Sequence, residues 1–98
     1  MKIIGKWQAF WTTRPESDFS KKYISEYTSS GEYIQEYPPL KEGGEILRPV
    51  TKCQYDEGKV THFMKGGNAV EFTYKIDESD ILTITNPRGD VWKLKRVS

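Results

Sequence analysis

The chain has 98 residues, a net charge of +1 at neutral pH, 30% charged residues and 36% hydrophobic residues. This length fits one domain spanning residues 1–98, and the near-zero charge argues against binding to a nucleic-acid phosphate backbone. Three Trp, six Tyr and four Phe provide enough aromatic area for a core, so the low hydrophobic fraction does not indicate disorder.

The first residues and the single cysteine, Cys53, bear on the cellular compartment. The segment from Met1 to Trp7 lacks the apolar stretch of a signal peptide, and no run approaches the roughly 20 apolar residues needed to span a membrane. A lone cysteine cannot form an internal disulfide. We therefore expect a cytoplasmic protein with no membrane association, unless a leader peptide has been removed.

Alternating residues predict the first strand. A period of two places one set of side chains on a single face, consisting of Ile3, Gly5, Trp7, Ala9 and Trp11. Arg14-Pro15 ends this strand, and the acidic residues that follow Pro15 predict a short helical turn near residues 15–20.

Two tyrosine-rich runs, at residues 22–28 and 32–37, predict a hairpin across the glycine-containing turn at residues 29–31. Pro38-Pro39 ends the second run, and Lys41-Glu42-Gly43-Gly44 is the loosest segment of the chain. A further strand is expected from Ile46 to Tyr55, and Pro49 within it indicates an edge position or a bulge.

The second half of the chain reads as consecutive hairpins. The turn signals are Asp56-Glu57-Gly58, Gly66-Gly67-Asn68, Asp77-Glu78-Ser79-Asp80 and Asn86-Pro87-Arg88-Gly89-Asp90. Between them, Val70, Phe72, Tyr74 and Ile76 share one strand face. The pattern predicts an all-β fold, a small up-and-down antiparallel barrel of about eight strands, because closure removes exposed edges. A barrel of that size holds side chains or one small ligand.

Short motifs at both ends and in the middle suggest a family. Gly5-Lys6-Trp7 matches a G-x-W on a first strand, and Arg96 follows Trp92 on the last strand. The segment Tyr27–Tyr33 places an aromatic strand before a glycine turn, and Tyr74–Ile84 pairs Tyr-x-Ile with Leu-x-Ile across an acidic turn. In these features the chain resembles the lipocalins and their calycin relatives, and most closely the short bacterial lipocalin-like domains.

The resemblance implies a lipocalin-like barrel in which Gly5, Trp7 and Arg96 close the ring of strands. It also implies binding of a small apolar molecule in the interior. The Trp7–Arg96 pair then either forms the floor beneath a ligand or is only a cation–π contact between the first and last strands. The chain lacks the T-D-Y motif and the C-terminal helix of full lipocalins.

Aromatic side chains are the candidate ligand-binding residues, because a pocket combines apolar walls with a few polar tips. The candidates are Trp7, Trp11, Tyr23, Tyr27, Phe72, Tyr74 and Trp92. The same rings could instead fill the core. A filled barrel would favour a protein-interaction module, with the loop Pro38–Glu45 or an edge near Pro49 as its contact surface.

Catalytic chemistry finds little support in the sequence. His62 is the only histidine, and together with Cys53 it supplies too few ligands for a metal site. We expect a surface histidine, a buried cysteine, no metal, no cofactor and no catalytic residue. The favoured function is non-catalytic binding of a small apolar or aromatic ligand by a monomer or weak homodimer, without a nucleic-acid partner.

Overall fold

A computed structural model describes residues 2–14, 23–39 and 42–97, and the backbone hydrogen bonds within these ranges form strands and no helix. The strands are β1 (Gly5–Thr12), β2 (Ile24–Tyr27), β3 (Glu32–Glu36), β4 (Val50–Asp56), β5 (Lys59–Phe63), β6 (Ala69–Ile76), β7 (Ile81–Thr85) and β8 (Val91–Arg96). The helical turn predicted near residues 15–20 lies outside the described residues and stays a prediction.

The eight strands form a closed ring. Each strand pairs antiparallel with the next along the chain, and β8 pairs with β1 to complete an up-and-down barrel. At this seam Trp7 lies opposite Arg96, and Ala9 lies opposite Leu94. Closure pairs both edges of what would otherwise be an open sheet. The predicted all-β, up-and-down barrel is therefore confirmed.

Alternation along β6 shows how the sequence selects an inner and an outer face. Val70, Phe72, Tyr74 and Ile76 are half-buried, whereas the residues between them are exposed. Successive side chains of a strand point to opposite faces, so one apolar set lines the interior. The predicted shared face of these four residues is confirmed.

A bulge in β1 overturns the expectation for Trp11. The pairing of β1 with β8 shifts between Ala9 and Trp11, and the extra residue moves the alternation by one position. Trp7 and Ala9 are buried, whereas Trp11 is 45% exposed and lies beneath the Lys93 ammonium. The expectation that Trp11 shares the inner face is wrong, because a simple period of two contains no sign of the bulge.

The connection between β3 and β4 also differs from expectation. The strand predicted from Ile46 begins only at Val50, and Leu47 makes a single isolated bridge with Tyr37. Pro49 lacks an N–H group and cannot donate to a ladder, but its carbonyl oxygen accepts a hydrogen bond from Gln35. The strand start is therefore displaced beyond the proline.

Trp7 closes one end of the barrel, which we call the floor end, where β1 begins and β8 ends. Its ring is fully buried, and its Nε1 donates to the carbonyl oxygen of Ile3 at 2.9 Å. The Arg96 guanidinium carbon lies 4.1 Å from the ring centroid. Gly5, two residues before Trp7, has a φ of 138°, a backbone conformation that favours glycine.

Arg96 also ties the N-terminal segment to the barrel. Its guanidinium donates to the carbonyl oxygens of Ile4 and Lys2 at 3.0 and 2.7 Å, and to the Asp80 carboxylate at 2.6 Å. The hydrogen bond from Arg96 lowers the pKa of Asp80. The predicted contact between Trp7 and Arg96 is confirmed.

Candidate functional site

A cavity of about 230 Å³ occupies the half of the barrel away from the floor end. Its lining residues come from the strands and from their ends opposite the floor. They are Ala9, Tyr23, Ser25, Tyr27, Tyr33, Gln35, Thr51, His62, Met64, Phe72, Leu82, Ile84, Trp92 and Leu94. The described interior is therefore not filled by the aromatic side chains.

One wall of the cavity carries paired polar groups from β2, β3 and β5. The hydroxyl oxygens of Ser25 and Tyr33 lie 3.1 Å apart, and the phenol oxygen of Tyr27 lies 3.0 Å from Nε2 of His62. The Tyr33 ring stacks on the His62 imidazole with centroids 4.5 Å apart. These contacts hold the polar atoms in place and leave few rotamers open to them.

The opposite wall is apolar. Ala9, Leu82, Ile84 and Leu94 are buried there, on β1, β7 and β8. The half-buried ring of Trp92 extends this surface along β8. An apolar wall favours a ligand with hydrocarbon or aromatic surface, because removing that surface from water is favourable.

His62 contacts both tyrosines of the polar wall, Tyr27 and Tyr33. It lies on β5, opposite Cys53 on β4 and Val70 on β6, and its side chain is 4% exposed. Burial lowers the pKa of His62 from 6.5 to about 4, so the imidazole is neutral at neutral pH. The expectation of a surface histidine is wrong, whereas the expectation that Cys53 is buried is confirmed.

The tyrosines of the polar wall are neutral as well. Burial raises the pKa of the Tyr27 phenol well above its usual value and raises that of Tyr33 in the same way. None of the described lining residues is an Asp, Glu, Lys or Arg. The described lining therefore offers hydrogen-bonding groups without a net charge.

The predicted ligand-binding residues divide into two groups. Tyr23, Tyr27, Phe72 and Trp92 line the cavity together. Trp7 lies at the floor end, Trp11 lies on the outer surface, and the Tyr74 hydroxyl points to the Asp56 carbonyl oxygen at 3.4 Å; these three do not line the cavity.

Sequence reasoning did not include Ser25, Tyr33 or His62 among the site residues. Two features of the sequence pattern point to the interior. Tyr33 is opposite Tyr27 across the predicted hairpin, and His62 lies two positions after Val60 on β5 and so shares its buried face. Because histidine is intermediate between the buried and the exposed residue types, composition alone does not place His62 inside the barrel.

The described residues contain no group of three His, Cys, Asp or Glu side chains arranged to hold a metal ion. They also contain no helix with the length and apolar character that crossing a membrane requires. Comparisons with protein-family models, curated proteins and solved structures found no match to this chain.

Proposed function

We propose that this protein binds a small, largely apolar molecule in the barrel cavity and does so without catalysis. The observation that supports this proposal is the cavity of about 230 Å³, in which an apolar wall faces a hydrogen-bonded wall and none of the described lining residues is charged. A cavity of about 150 Å³ lined by aliphatic and aromatic side chains is large enough for benzene. The space here suits one substituted ring.

The fold and the Trp7–Arg96 contact support a relationship to the short lipocalin-like domains. The resemblance depends on a G-x-W tryptophan that lies beneath a basic residue of the last strand. Here the guanidinium carbon of Arg96 lies 4.1 Å from the centroid of the Trp7 ring. In this proposal the pair is the structural closure of the barrel, since Trp7 does not line the cavity.

A cavity-filling variant tests the binding proposal. Ala9 is buried in the apolar wall, so Ala9→Leu places extra carbon atoms inside the cavity. Ala69→Leu makes the same change at an exposed position of β6 and is the matched control. Binding of p-xylene, p-cresol and naphthalene is measured by the increase in thermal stability, which amounts to about 2.7 kcal/mol at 100 times Kd.

We expect at least one of these probes to stabilise the wild-type protein and the Ala69→Leu variant. Ala9→Leu should bind it at least about tenfold more weakly, because overpacking a well-defined site costs more than 1 kcal/mol. A wild-type protein that none of the probes stabilises, or equal binding by both variants, would contradict the proposal.

A protein-interaction function is the second candidate, and one surface feature favours it. Ile46, Leu47 and Val50 lie close in sequence before and at the start of β4, and each is more than half exposed, at 57%, 54% and 54%. Exposed apolar patches can mark contact surfaces. Sedimentation at increasing protein concentration tests self-association. This candidate is supported if the wild-type protein associates, Leu47→Ser does not, and Val97→Ser still does. A monomer at all concentrations would count against self-association.

A further inference from the structure

His62 has one ring nitrogen engaged and one available. Its Nε2 lies 3.0 Å from the Tyr27 hydroxyl, whereas Nδ1 has no hydrogen bond among the described residues. Among the same residues, every fully buried side-chain nitrogen or oxygen has a hydrogen-bond partner. Because Nδ1 has none, it is not fully buried, and a water-sized molecule can reach it. Because His62 is 4% exposed and lines the cavity, this access is from the cavity.

The hydrogen bond to Tyr27 leaves a defined choice for Nδ1. If Tyr27 donates to Nε2, Nδ1 carries the proton and is a donor; if Nε2 donates to Tyr27, Nδ1 is an acceptor. A hydroxyl group can donate or accept, so it complements Nδ1 in either tautomer. A hydrocarbon leaves Nδ1 without a partner once water is displaced.

Charge sets a second limit on the ligand. The described lining has no cationic side chain, and the two rings nearest His62 on its faces, Tyr33 and Phe72, are neutral. A carboxylate buried against the described lining would lose its water without meeting a counter-charge from these residues, which is strongly unfavourable. Acidic ligands are therefore excluded more strongly than apolar ones.

From this geometry we infer that the cavity, if it binds small molecules as proposed above, selects uncharged hydroxyl compounds of about one ring and holds the hydroxyl at Nδ1 of His62. The apolar remainder of the ligand lies against Leu82, Ile84 and Leu94. Tyr27 acts as a positioning residue, because its hydroxyl fixes the orientation of the imidazole.

Three para-substituted toluenes test this selection: p-cresol and p-xylene are matched in size and carry a hydroxyl or a methyl group, and p-toluate carries the larger, charged carboxylate. Their dissociation constants are measured by titrating the methyl NMR signals of Leu82, Ile84 and Leu94. The quantity that isolates Nδ1 is the ratio of the p-xylene to the p-cresol dissociation constant, compared between wild type and His62→Phe. This comparison cancels the different hydrophobicity of the two probes.

We expect the ratio to fall by about three- to tenfold in His62→Phe, the equivalent of one neutral hydrogen bond. Tyr74→Phe, which removes a hydroxyl that lies outside the cavity, should leave the ratio within about twofold of wild type. The dissociation constant of p-toluate should exceed that of p-cresol by more than about 100-fold.

A second measurement covers the case in which His62→Phe does not fold. In the wild-type protein, p-cresol should shift the ¹⁵N resonance of His62 Nδ1, and p-xylene should shift it less. Two results would overturn the inference and leave the binding proposal intact. The first is that both probes bind His62→Phe with the wild-type ratio of dissociation constants. The second is that p-cresol and p-xylene shift the ¹⁵N resonance of Nδ1 equally in the wild-type protein. If none of the three probes moves the cavity methyl signals, the inference fails, and the binding proposal fails with it when naphthalene also leaves the wild-type protein unstabilised.

Discussion

Acidification below neutral pH should destabilise this barrel through His62. The folded protein holds the His62 pKa at about 4, whereas an unfolded chain restores the ordinary value of 6.5. The unfolded state therefore takes up a proton as the pH falls below 6.5, and the folded state resists this until about pH 4. Stability present above pH 6.5 is lost progressively across that interval.

The structure sets the size of this effect. One pKa unit corresponds to about 1.4 kcal/mol, so the full interval corresponds to about 3 kcal/mol, of which about 2 kcal/mol is lost between pH 7 and pH 5. Desolvation is the cause of the shift, and the rings that contact the imidazole from β2, β3 and β6, namely Tyr27, Tyr33 and Phe72, carry no charge to offset it.

The assay is urea unfolding followed by tryptophan fluorescence at a series of pH values from 7.0 to 4.5. The chain contains one histidine, so no other histidine contributes in this interval. His62→Gln is the matched variant, because an amide nitrogen in place of Nε2 can still bond Tyr27 but does not titrate. Its free energy of unfolding should vary by less than about 0.5 kcal/mol between pH 7 and pH 5.

Equal pH dependence in wild type and His62→Gln would refute this reasoning. So would an NMR titration in which the imidazole of the folded protein has an unshifted pKa near 6.5, since the burial of His62 could not then be as described.

Three further predictions concern the frame of the barrel, and each is measured by the free energy of unfolding. Arg96→Met should cost about 2 kcal/mol through the lost cation–π contact and hydrogen bonds, whereas Lys95→Met, at an exposed neighbour, should cost less than about 0.5 kcal/mol; equal effects would contradict closure by Arg96. Gly31→Ala should cost about 2 kcal/mol and more than Gly89→Ala, because both have a positive φ but only at Gly31 does an added Cβ lie 3.0 Å from a backbone carbonyl oxygen of β4; equal losses would show that this approach is relieved without cost. Trp11→Ser should cost less than about 1 kcal/mol, since the ring is on the outer surface; a loss of about 3 kcal/mol or more would return Trp11 to the core.

Most of the fold was accessible from local patterns. Turn signals and alternation located the strands because each hairpin carries its own information, as in the acidic turn where the Asp77 carboxylate accepts from the backbone N–H groups of Ser79 and Ile81. The contact of Trp7 with Arg96 followed from the family resemblance. The β1 bulge departed from the pattern, because it depends on the pairing with β8, which is distant in sequence. The start of β4 at Val50 departed from it, because Pro49 cannot donate to the ladder.

The candidate site was only half accessible from the sequence. The alternation along β6 and β8 predicts Phe72 and Trp92 as interior residues. His62 shares a strand face with Val60, but composition favoured a surface position, because the polar partners that satisfy His62 and Ser25, Tyr27 and Tyr33, come within hydrogen-bond distance only in the assembled barrel. The neutrality of the cavity is likewise a product of the assembly.

The most direct measurement is the set of intermolecular nuclear Overhauser effects between ring protons of p-cresol and methyl groups of the protein. Contacts to Leu82, Ile84 and Leu94, with none to the exposed Leu47 and Val97, are expected if the ligand occupies the uncharged interior. Contacts confined to Leu47 or Val97, or no contacts at saturating p-cresol, would contradict a binding site within the barrel.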